Sequence, residues 1–148
     1  MSREMQTSTL PPRVGATIKL TIPAAARYTR IARLAAGGIA TDLGFDTEQL
    51  DDFKIALDEL IMGVLGAQLV DPKETAPLDL EFQVDYATQS VHVTGTQERD
   101  STMSTSIDSA GLPLLSEQIL RALVADYTFT NTADRSTFSF DMKASVDE

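Results

Sequence analysis

The stretch Phe53-Lys54-Ile55-Ala56-Leu57-Asp58-Glu59-Leu60-Ile61-Met62-Gly63-Val64-Leu65-Gly66-Ala67 decides how the rest of the chain is read. Leu50, Phe53, Leu57, Leu60, Ile61 and Val64 recur at three- and four-residue spacing. This predicts a long amphipathic helix from an Asp46 N-cap, with Glu48 in its first turn, to about Leu69. Asp58 and Glu59 stand side by side among apolar residues, and Glu59 lies one turn before Gly63, with Ala56 and Gly66 on nearly the same side. Small residues beside a carboxylate leave room for a ligand. The same spacing also suits two acids on the solvent edge of a helix whose glycines admit a close neighbour, and by spacing alone this second reading is favoured.

Upstream, Val14, Ala16, Ile18, Leu20 and Ile22 alternate with Thr17, Lys19 and Thr21, the period of a strand with one wet face. Pro23 ends it, and a helix is predicted over Ala24 to Leu43 from the spacing of Tyr28, Ile31, Ala35 and Ile39. Gly37-Gly38 softens that helix by about 1 kcal/mol per glycine, and Gly44 ends it. Downstream, Leu78, Leu80, Phe82, Val84 and Tyr86 alternate with acids and Gln83, and a hairpin-length link over Ala87 to Ser90 leads into Val91 and Val93. Thr96 to Asp108 is polar, aperiodic and rich in Ser and Thr, which reads as a long loop. A third helix follows over about Leu112 to Ala125, then two strands, Tyr127 to Thr130 and Phe138 to Met142, across a turn at Asn131 to Arg135. The order β-α-α-β-β-loop-α-β-β, with every strand wet on one face, predicts an α+β two-layer sandwich: three helices on one face of a mostly antiparallel sheet. Residues 1–13 are expected to be a flexible arm, 14–144 one domain, and 145–148 a tail.

The 148 residues carry a formal charge of −10. With no cysteine, disulfides, thiolate metal sites and cysteine nucleophiles are excluded, which points to the cytoplasm. The apolar runs Leu34 to Ala40 and Leu60 to Ala67 fall far short of the roughly 20 residues of a spanning helix, and the first fifteen residues lack the apolar core of a secretion signal. Charge is polarised: up to Arg33 six bases face only Glu4, while the remainder has 21 acids against six bases. Such a body repels phosphate backbones, so nucleic acid is not an expected partner and a basic protein surface is. Solubility alone would also account for the acids. The lone His92 alternates with Val91 and Val93 and so belongs to a wet strand face, which leaves no catalytic triad. Metal clusters of the His or Cys kind are excluded, and there is no Walker-type loop or dinucleotide fingerprint.

A strand, two helices joined by a Gly-Phe-Asp link, and the Leu57-Asp58-Glu59 stretch of the second helix make the chain, over about Val14 to Lys143, resemble the anti-sigma factor kinases of bacterial partner-switching systems, a branch of the GHKL (histidine-kinase-like) ATPase superfamily with a Bergerat-type nucleotide site. The resemblance implies that Glu59 stands at the position of the general base. Four residues on, Gly63 stands where the family has a magnesium-binding Asn. The family's Asp-x-Gly-x-Gly stretch, whose Asp binds the adenine amino group, corresponds to Val93-Thr94-Gly95-Thr96-Gln97-Glu98, so Gly95 or Thr94 replaces the carboxylate. A phosphate-cradling Gly-x-Gly turn survives only as Gly111-Leu112-Pro113-Leu114-Leu115, where Pro113 removes a backbone donor. Each lost hydrogen bond to a buried ligand atom costs on the order of 1–3 kcal/mol, and charge-assisted contacts cost more. Three degraded elements together imply a degenerate member, similar to several actinobacterial anti-sigma proteins, that has lost ATP, magnesium and kinase chemistry and works by binding.

In the resembled family the first helix and neighbouring strand serve dimer formation and contacts with an alternative sigma factor and a STAS-type anti-anti-sigma factor. Arg27, Arg30 and Arg33 stand three apart there, with Arg33 the best match to the family position, and arginine suits paired hydrogen bonds to a partner's carboxylates. As a merely solvated face, each would add at most about 1 kcal/mol. The first expectation is thus a stress-response type anti-sigma regulator. The alternatives are a working serine kinase with Glu59 as base and Thr96 to Asp108 as lid, or another regulatory binding module of the same fold.

Overall fold

Apolar and polar residues alternate through five segments, and this alternation builds the sheet. The computed structural model describes residues 15–66, 76–99 and 112–145. Strands β1 (Gly15–Ile22), β2 (Leu78–Asp85), β3 (Ser90–Glu98), β4 (Tyr127–Asn131) and β5 (Arg135–Lys143) form one antiparallel sheet in the order β1-β2-β3-β5-β4. Register aligns the apolar members across strands, Phe82 beside Val93 and Val93 beside Phe140, so one face is dry. The other face carries Thr17, Gln83, His92 and Asp141 in one cross-strand row.

Helices α1 (Thr29–Asp42), α2 (Thr47–Leu65) and α3 (Leu114–Leu123) complete the α+β two-layer fold expected from the sequence. Helix α2 is the keystone: Phe53, Ala56, Leu57, Leu60, Ile61 and Val64 are all buried. Its start is fixed by a reciprocal cap, Gln49 N donating to Asp46 Oδ1 (2.8 Å) while Asp46 N donates to Gln49 Oε1 (3.3 Å). Between α1 and α2, Gly44 takes φ +84°, and Phe45 N donates to Ala40 O (3.0 Å), a glycine-dependent stop that turns the chain back.

Several boundaries differ from expectation. The first helix begins at Thr29, not Ala24; Ala26–Tyr28 form a 3-10 turn, and Thr29 Oγ1 donates to Ala26 O (2.8 Å). Helix α2 ends at Leu65, where Gly66 N closes on Met62 O (2.7 Å). Helix α3 runs only from Leu114 to Leu123, with Pro113 as N-cap. The polar stretch at Thr96 is strand up to Glu98, because Glu98 pairs with Arg135 in register and through an ion pair of 3.0 Å. The arm 1–13, the tail beyond Ser145, Gly111, and residues 100–108 of the expected loop lie outside the described residues. Among the described residues no helix is long and apolar enough to cross a membrane.

Candidate functional site

Asp58 and Glu59 of α2 face different surroundings. Arg33 of α1 donates from Nη1 to Asp58 Oδ1 at 2.9 Å, with the two side chains 39% and 36% exposed, and to Thr29 Oγ1 at 3.3 Å. Glu59, half-buried, has no hydrogen bond or ion pair among the described residues. The carboxylate that the resemblance places at the base position is therefore unclaimed among the described residues.

One turn beyond, Gly63 faces α3 and β4. A Cβ built on Gly63 would overlap the Leu112 side chain and come within 3.0 Å of the Phe129 ring. Gly95 of β3 is the register partner of Phe138, and a Cβ on Gly95 would overlap that ring, which is 1% exposed. An aromatic laid over a cross-strand glycine is a known way to seal a sheet. Two of the three positions that the resemblance assigns to nucleotide binding are thus covered by side chains of the protein itself, and the third, Gly111, is outside the described residues. The residues present do not fit a magnesium nucleotide. Glycine at position 63 offers no ligand atom, an asparagine there would meet Leu112, and Phe138 occupies the space above Gly95.

Polar groups collect at the same end of the dry face. Gln97 is fully buried and its Nε2 donates to Ala76 O (2.8 Å); Ser136 Oγ, also buried, donates to Asn131 Oδ1 (2.6 Å). The three guanidinium nitrogens of Arg99 are buried without a hydrogen-bond partner, and burial lowers its pKa. Sequence reasoning missed Gln97 and Arg99 by treating their segment as loop; the available signal was their odd-numbered phase with Val91 and Val93.

The three arginines do not form one stripe. Arg27 sits in the 3-10 turn, its guanidinium 5.0 Å from the Tyr28 ring centroid; Arg33 is bound to Asp58; Arg30 alone is exposed without a partner among the described residues. On the same helix Ile31 and Leu34 are 42% and 73% exposed, and Ile18 of β1 is 37% exposed. His92 lies on the open sheet face, its Nδ1 2.7 Å from Asp141 Oδ1. Among the described residues no three His, Cys, Asp or Glu side chains are placed to hold a metal.

Comparison with solved structures places this geometry. The chain matches the crystal structure of the RsbU and RsbW domains of a Mycobacterium tuberculosis protein with a TM-score of 0.63, covering 85% of this chain and 32% of that one at 12% identity. The fold is the histidine-kinase-like ATPase fold of RsbW domains. In sequence the chain is 30% identical over 67 residues to the serine-protein kinase RsbW of Oceanobacillus iheyensis, which is 45% of this chain and 42% of that protein. The similarity thus spans less than half the length of the curated relative it matches. No family model matches the chain.

Proposed function

We propose that this chain is an anti-sigma regulator of the RsbW type that works by holding a protein partner and needs no nucleotide. The observation that carries this reading is the pair of covered glycines: Leu112 and Phe129 pack onto Gly63, and Phe138 onto Gly95, so side chains of the protein itself stand over both positions that the resemblance assigns to the nucleotide. The sequence similarity to RsbW and the RsbW-like fold support the partner-switching class. Its partners in this reading are an alternative sigma factor and a STAS-type antagonist. They are gripped by the apolar patch of Ile31 and Leu34 with Arg30, and by Arg33 once it exchanges Asp58 for a partner carboxylate. A homodimer through β1 and α1, and a cytoplasmic setting, belong to the same reading.

Two experiments test it. Calorimetric titration with a non-hydrolysable ATP analogue and magnesium is expected to give no heat of binding. Micromolar affinity, or phosphorylation of a partner serine with Glu59 as base, would overturn it in favour of a working kinase. The second compares what co-purifies with the wild-type chain from its native cell and with an Arg30→Glu, Arg33→Glu variant. A sigma factor in stoichiometric amount with the wild type, lost from the folded variant, is the expected result; equal recovery refutes the assigned surface.

A further inference from the structure

The sheet ends at β4, and β4 pairs with β5 alone; among the described residues no strand covers its outer edge. At the hairpin end Thr132 N donates to Arg135 O (2.9 Å). The pairs Thr130 with Thr137 and Thr128 with Ser139 are in the same phase, which turns the peptide groups of Tyr127 and Phe129 outward. Exposed edges are usually guarded by lysine, proline or a bulge. Tyr127-Thr128-Phe129-Thr130-Asn131 has no charge and no proline, whereas the opposite edge strand β1 carries Lys19 at its centre.

Beside this edge, α3 walls a groove of about 450 Å³. Leu112, Val124, Ala125, Tyr127 and Phe129 supply its apolar lining, and Glu117, Asp126 and Arg121 its charged groups. A strand added to β4 would direct alternate side chains into that groove and the others over Thr128 and Thr130 on the open face. Two acids to one base in the groove, on a chain of net charge −10, favour a cationic guest and draw it in over a distance.

We propose that β4 and the α3 groove form a docking site for an extended segment of a partner protein, with apolar and basic residues in alternation, that adds a sixth strand to the sheet. The site is separate from the α1 surface, so its fate does not depend on the anti-sigma reading.

The test uses the full chain and a fluorescent, N-acetylated Lys-Val-Lys-Val-Lys-Val-Lys peptide, followed by anisotropy. Saturable binding is expected, at least tenfold weaker for a peptide of equal charge in which proline replaces each valine. The peptide should also bind at least fivefold more weakly to a Thr130→Lys variant whose circular dichroism matches the wild type. Absence of binding, or equal binding of the proline peptide, which would mean charge attraction without strand addition, overturns the proposal.

Discussion

At Gly63 a single added carbon already meets the Leu112 side chain. Gly63→Asn would restore the magnesium ligand of the resembled family in name, but its Cβ falls on Leu112 and crowds Phe129. Overpacking of this kind costs about 1–3 kcal/mol. Urea unfolding is expected to show that loss for Gly63→Asn and to recover part of it in Gly63→Asn, Leu112→Ala; an unchanged midpoint in the single variant would contradict the packing described. Gly95→Ala should lose a similar amount, since the Phe138 ring lies where the new methyl would go. The sequence made both glycines legible as departures from a motif. It could not place Leu112, Phe129 and Phe138 over them, because those contacts join residues far apart in the chain and depend on strand register. Arg33 and Asp58 illustrate the same limit: each was singled out, but their contact across 25 residues was not visible.

At the scale of elements, helix α2 was the most legible part of the fold because its cap, its apolar stripe and its length agree. The cap gives a direct prediction. Asp46→Ala removes the acceptor for Gln49 N and is expected to cost about 1 kcal/mol, read as a fall of a few degrees in Tm. The strands were equally legible from alternation, since a dry and a wet face leave a period of two in the sequence. Boundaries set by tertiary contact were not. The turn at Ala26–Tyr28 and the extension of β3 to Glu98 arise from a side-chain bond to Ala26 O and from pairing with β5, neither of which leaves a local periodic trace.

For the whole molecule, the uneven cover of β1 and α1 matters most. Ile18, Ile31 and Leu34 remain exposed on a sheet edge and helix that otherwise pack well. Fully burying one such side chain is worth about 1.5–3 kcal/mol, which in the proposed reading favours cover by a second copy. Sedimentation is expected to report a dimer that Ile31→Glu converts to a folded monomer; a wild-type monomer at all concentrations would refute pairing through this face.

Phe138 over Gly95 also bears on timing. In the proposed reading, a regulator with its own phenylalanine standing over Gly95 would not sense adenylate levels, so starvation and plenty would leave its grip on a partner unchanged. Release would then follow the abundance and turnover of competing proteins, making the switch a matter of stoichiometry set by synthesis and proteolysis.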